Sequence, residues 1–156
     1  MTTPKVTTVR LQRMARAYRQ SGALMAAVEL GLFTAVANGA RDRNAVAERL
    51  GVTELNADRI VTYCLGAGLL EQIDGALKNA PDVERFLVQD KTAYAGDWML
   101  FTKPDWNEWG VLAEHLKNTD DPVVLGAYAE WTVDDARKYH SATYAIGMGA
   151  GSRFVK

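Results

Sequence analysis

One stretch of this sequence reads as strand, and the rest reads as helix or loop. Leu69–Ile73 and Ala76–Asn79 are two short runs around Asp74-Gly75, a dipeptide suited to a tight hairpin because both residues tolerate left-handed backbone. Strands alternating with helices do not occur, which excludes a parallel sheet. What remains is a mainly α chain with one small hairpin.

The segments before the hairpin sharpen this. Arg43–Leu50 reads as a short helix with Val46 and Leu50 one turn apart, Asp42 as N-cap and Gly51 as its stop. Thr53 caps the next helix, taken from Glu54 toward Leu70 with Ala57, Ile60, Val61, Cys64 and Leu65 on one face and Gly66 and Gly68 weakening its end. Helix, turn, helix, hairpin is the winged helix-turn-helix order.

On the N-terminal side, residues 1–8 read as a flexible tail and Val9–Gly31 as one helix of about 20 residues, roughly 30 Å long. Leu11, Met14, Tyr18, Gly22, Met25 and Ala26 follow helical steps, and Leu24, Val28 and Leu32 add a second apolar row. An apolar arc this wide serves two contacts, a core on one side and a second copy of the chain on the other. Gly31 ends the helix. After the hairpin, helices are expected at Pro81–Gln89, Thr92–Phe101 and Val133–Met148, with an amphipathic set at Trp109, Leu112, Ala113 and Leu116 and a loop at Asn118–Pro122. The chain thus divides into a tail (1–8), a dimerisation helix with the winged helix (9–90), and a helical cap or linker segment (91–156).

Composition narrows the function classes. With 48% hydrophobic and 24% charged residues, this is an ordinary globular chain. It has no membrane-length apolar run and no apolar core for a secretory leader, so the cytoplasm is the expected location. One cysteine, Cys64, excludes an internal disulfide, and with only His115 and His140 beside it a Cys/His zinc site is not expected. Nucleic acid is a poor partner: the second helix sets Arg59 against Glu54 and Asp58, and the wing adds only Lys78. The first 20 residues carry five cations and no acid, but those arginines spread over about half the helix circumference.

Little here resembles catalytic machinery. Gly147, Gly149 and Gly151 follow a helix rather than open one, so they read as a mobile helix end and not as a phosphate loop. Asp120-Asp121 and Asp134-Asp135 read as caps, Cys64 as core packing, His115 as a surface residue, and His140 has no base or nucleophile beside it in sequence. The tryptophans say more. Trp98, Phe101, Trp106 and Trp109 cluster within a short span around Lys103-Pro104-Asp105, with Trp131 further on. They serve either as core or as an apolar wall for a flat organic ligand.

Several stretches resemble the N-terminal region of the S-adenosylmethionine-dependent small-molecule O-methyltransferases, the group of the caffeic acid, acetylserotonin and hydroxyneurosporene enzymes. They are Ala27–Phe33 (AVELGLF), Asn44–Gly51 (NAVAERLG), Ala57–Leu70 (ADRIVTYCLGAGLL) with the wing, Asn107-Glu-Trp109 with Leu112 and Leu116, and Tyr139–Tyr144 (YHSATY). ArsR- and MarR-like regulators share the helix–helix–wing order but rarely the second half, so a small winged-helix regulator or ligand-binding module is the alternative.

The resemblance implies a homodimer through Leu11, Met14, Tyr18, Gly22, Met25 and Ala26. It also implies a substrate wall from Trp98, Phe101, Trp106, Trp109, Tyr139, Thr143 and Gly147, facing a small aromatic or polycyclic hydroxylated molecule. In the family a Rossmann-like domain follows, holding S-adenosylmethionine and the catalytic histidine. No residue of this chain matches those positions, so the expectation is no catalytic, cofactor or metal residue here and no turnover from this chain alone.

Overall fold

The computed structural model describes residues 6–103, 105–117 and 130–154. They fall into two compact units, Met1–Glu84 and Arg85–Lys156.

In the first unit the expected single N-terminal helix is two. Helix α1 (Val9–Arg16) and α2 (Tyr18–Glu29) meet at Ala17. There the amide of Ala17 bonds back to Met14 and that of Gln20 to Ala17, a local tightening to three-residue steps. Ala17 itself keeps right-handed helical angles, so no proline or glycine break is involved. Helix α1 buries nothing, while α2 places Met25, Ala27 and Val28 inside.

Gly31, left-handed at φ 72°, ends α2 and starts α3 (Leu32–Ala37). No period marks α3 in the sequence: six residues are under two turns, too few to show one. Its Leu32 and Phe33 are nevertheless among the largest fully buried side chains, with Val46 of α4 and Val61 and Cys64 of α5.

Helix α4 (Arg43–Leu50) has the expected bounds. Asp42 Oδ1 accepts from the Ala45 amide at 2.8 Å, and Gly51 closes the C-terminus. Helix α5 (Glu54–Gly66) is capped by Thr53, whose Oγ1 accepts from the Asn56 amide at 3.3 Å. It ends earlier than its apolar pattern suggests. The Leu69 amide returns to Cys64 and the Gly68 amide to Leu65, and this paired closure needs the left-handed φ of 73° at Gly68. The same closure aims the chain into the wing.

Strands β1 (Leu70–Ile73) and β2 (Ala76–Asn79) pair antiparallel, Leu70 opposite Asn79 and Ile73 opposite Ala76. Asp74 and Gly75 both have positive φ (53° and 81°), the signature of the type I′ turn. The wing is fastened to the helices where the Leu77 amide donates to the Arg41 carbonyl at 2.8 Å. The fold is mainly α, and in the first unit α4, α5 and the hairpin form a winged-helix arrangement against which α2 and α3 pack.

Beyond the wing come α6 (Pro81–Phe86), α7 (Gly96–Phe101), α8 (Asp105–Gly110), α9 (Leu112–His115) and α10 (Val133–Phe154). Helix α6 is shorter than expected because the Phe86 carbonyl accepts from the Ala95 amide at 2.7 Å, not from the next helical turn. Helix α7 starts at Gly96 and not at Thr92, since a turn closed by the Tyr94 amide on Lys91 precedes it. Helix α7 packs against α10. Helix α10 runs on past Met148, correcting the expectation of a mobile glycine segment: Gly147, Gly149 and Gly151 are inside it. The loop expected at Asn118–Pro122 lies outside the described residues. No helix among the described residues is long and apolar enough to cross a membrane.

Candidate functional site

The second unit gathers aromatic rings from α7, α10 and the residue before α10. Trp98 and Phe101 lie three residues apart on α7, so they share a face. Their rings stack at 6.0 Å with planes 15° apart. Tyr139 of α10 meets Phe101 edge-on at 5.8 Å, and Trp131 meets Tyr139 edge-on at 5.3 Å. Both separations suit the edge-to-face attraction of aromatic quadrupoles. All four side chains are only half-buried, so the row is a wall with an open side and not a closed core.

A hollow of about 390 Å³ lies beside Phe101, lined by Asp97 and Leu100 of α7 and by Arg137, Lys138, Ser141 and Ala142 of α10. Its size falls within the range of small-molecule sites, and its lining of apolar side chains with a few polar groups fits one.

The start of α10 fixes where these residues point. Thr132 and Asp135 cap each other: the Asp135 amide donates to Thr132 Oγ1 at 3.2 Å, and the Thr132 amide donates to Asp135 Oδ2 at 3.0 Å. The Thr132 hydroxyl also donates to Oδ2, at 2.6 Å. These bonds hold the Asp135 carboxyl below its ordinary range. Trp131 stands immediately before this cap.

The sequence candidates separate on this geometry. Trp98, Phe101 and Tyr139 come together. Thr143 is one turn further along α10, but its hydroxyl donates to the Tyr139 carbonyl at 2.8 Å and is thereby engaged. Gly147 lies one turn beyond that, exposed, with open space where a side chain would be. Trp106 and Trp109 do not join the row. They sit on α8, 38% and 71% exposed, and Trp106 lines a separate hollow with Leu100, Lys103 and Asn107. Trp109, Leu112 and Leu116 keep their helical spacing, but all three are exposed. Sequence reasoning noted Trp131 only beside the tryptophan cluster and did not single out Arg137, Lys138 and Ser141, which line the hollow. The Thr-x-x-Asp cap was the available signal, since it fixes the helix start from which their positions follow.

The expected pairing residues also divide. Leu11, Met14 and Tyr18 form an exposed row, each more than half accessible. Gly22 and Ala26 are half-buried, and Met25 belongs to the core of its own unit. Cys64 is fully buried, and burial pushes its thiol up to about 11. His115 is exposed, 3.7 Å from Glu108, and His140 is exposed with its ring edge toward Tyr139 at 5.8 Å. On α5, Asp58 is paired with Arg43, and Arg59 donates to Asn56. No group of acidic, histidine and cysteine side chains that could hold a metal occurs among the described residues.

The three glycines of α10 are not arranged as a cofactor loop. A glycine loop binds a ligand through free backbone amides, whereas amides within a helix are committed to carbonyls four residues back. Gly147, Gly149 and Gly151 are all within α10.

The O-methyltransferase dimerisation domain matches residues 12–88. The chain is 36% identical over 103 residues to 3-hydroxy-5-methyl-1-naphthoate 3-O-methyltransferase of Streptomyces sahachiroi, covering 64% of this chain and 29% of that protein. It is 31% identical over 108 residues to the N,N-dimethyltransferase OxyT of Streptomyces rimosus (69% and 31%). Over 146 residues it is 28% identical to the tetracenomycin polyketide synthesis 8-O-methyltransferase TcmO of Streptomyces glaucescens (89% and 42%). The chain therefore spans less than half the length of each of these relatives. Human N-acetylserotonin methyltransferase in complex with S-adenosylmethionine shares the fold, with TM-score 0.74 and 20% identity over 94% of this chain and 47% of that one.

Proposed function

Because residues 12–88 belong to the O-methyltransferase dimerisation domains, we propose that this chain is the pairing and acceptor-covering part of an S-adenosylmethionine-dependent O-methyltransferase. The acceptor is a flat, largely apolar small molecule carrying a hydroxyl, and the working form is a homodimer. The row Trp98–Phe101–Tyr139–Trp131 beside its hollow carries this reading. Two relatives named for aromatic or polyketide O-methylation support the acceptor class, and the one named an N,N-dimethyltransferase makes the accepting atom the point to be measured.

What this part does is physical. Half-buried rings offer a flat acceptor stacking surface at little cost in side-chain order. Holding the acceptor in one orientation removes much of the entropy that opposes group transfer, and covering it excludes water. S-adenosylmethionine supplies the methyl group in the intact enzyme. The residues described here orient the acceptor and do not hold the donor.

The test is tryptophan fluorescence of the chain titrated with a hydroxynaphthoate. Saturable quenching is expected, and it should be lost in Phe101→Ala and Tyr139→Ala variants that remain folded. Quenching that survives both substitutions would remove the aromatic row from the acceptor site. Incubation of the chain alone with S-adenosylmethionine and the same probe should yield no methylated product, and product formation would overturn the covering role.

A further inference from the structure

The first unit holds a cavity that neither the pairing surface nor the acceptor wall uses. It is about 280 Å³ in volume, at the small end of the range for ligand sites, and lies between the C-terminal end of α3, the segment leading to α4, and strand β2. Val36, Ala37, Ala76 and Leu77 give it an apolar floor, and Arg41 and Lys78 contribute two cations. Neither cation has a side-chain partner among the described residues, although Glu71 stands opposite Lys78 across the hairpin. Their backbones are held nonetheless, because the Leu77 amide donates to the Arg41 carbonyl.

The remaining polar wall is built rather than incidental. Asn79 is 9% exposed, and its Nδ2 donates to the Phe33 carbonyl at 2.8 Å and to Glu84 Oε2 at 2.7 Å. Those two acceptors fix the orientation of the amide, since turning it over would set oxygen against oxygen. Its Oδ1 is then left buried without a donor. That atom is closed off from the cavity as well as from solvent, so it takes no part in binding. Glu84 is already engaged, so the charge open to a ligand is that of Arg41 and Lys78.

We propose that this cavity binds a small organic monocarboxylate. The carboxylate meets Arg41 and Lys78, and a compact apolar body rests on Val36, Ala76 and Leu77. An ionised acceptor between two cations gives the stronger, charge-assisted class of hydrogen bond. The site lies wholly in the first unit, so it stands or falls independently of the acceptor wall.

The probe is benzoate, with benzamide as its neutral counterpart, followed by amide chemical shifts of the isotope-labelled 156-residue chain. Saturable shifts confined to residues 36–41, 76–79 and 84 are expected with benzoate and not with benzamide. Added salt should weaken them. Arg41→Gln with Lys78→Gln should weaken binding at least about tenfold while the remaining spectrum stays native. Should the double variant misfold, Lys78→Gln alone and the salt dependence carry the same test. Equal binding of benzamide, unchanged affinity in the variant, shifts centred elsewhere, or no saturable shift would each overturn the proposal.

Discussion

Asn79 and Cys64 show how much a single buried side chain decides. Asn79 joins the wing to the α3 backbone and to Glu84 with one amide nitrogen. Asn79→Ala leaves both acceptors without that donor, and a loss of about 1–3 kcal/mol in urea unfolding is expected. Cys64 follows from burial alone. Its thiol, raised from 9.0 to about 11, is protonated throughout the neutral range, and the nucleophile is the thiolate. The folded chain should resist iodoacetamide at pH 8 and react promptly once unfolded in urea. The sign for stability follows: the neutral thiol is favoured in the folded state, so its contribution is complete below pH 9 and is lost as pH rises through about 11. Fast alkylation of the folded chain at pH 8 would contradict the packing around α5.

At the scale of elements, the wing and α10 make a useful contrast. The hairpin is specified locally: Asp74-Gly75 permits the two positive φ values that only a primed turn uses, and its register follows. Helix α10 is specified against local preference. Glycine inside a helix costs about 1 kcal/mol relative to alanine, yet α10 continues through Gly147. With open space at its Cβ position, Gly147→Ala should raise thermal stability by up to about 1 kcal/mol. A neutral or destabilising result would restore the sequence expectation of a helix end there. The cap at the other end of α10 should weaken in acid. The Asp135 carboxyl is held low by Thr132, so its capping contribution is present above the ordinary carboxylate pKa and is lost as pH falls through the lowered one. Loss of helical circular dichroism on acidification should be smaller in Asp135→Asn than in the parent chain.

For the whole molecule the open question is pairing. Helix α1 buries no residue of its own chain, and it exposes Leu11, Met14 and Tyr18 on one row. Leu11→Asp with Met14→Asp should therefore leave the circular dichroism spectrum intact and convert a dimer to a monomer in sedimentation equilibrium. A double variant that still sediments as a dimer would place the pairing surface elsewhere. Duplex DNA should show no salt-dependent binding, because α5 offers Arg59 and little else, and Asp58 is already paired with Arg43.

The sequence by itself determined several element ends that are set by local chemistry. Asp42 and Thr53 as caps, Gly51 as a stop and the Asp74-Gly75 turn were all legible, because each acts through hydrogen bonds within a few residues. Trp98 and Phe101 were legible as neighbours in an aromatic cluster, and Tyr139 entered through the family resemblance. Tertiary structure alone decided the rest. It made α3 a core helix, since six residues carry no period of their own until neighbours bury them. It brought Trp131 to Tyr139 and left Trp106 and Trp109 exposed, because which aromatic side chains meet depends on how α7 packs against α10 and not on their distance along the chain. It also closed Arg41, Lys78 and Asn79 around one cavity, a juxtaposition set by the wing's return onto α3, which no spacing in the sequence encodes.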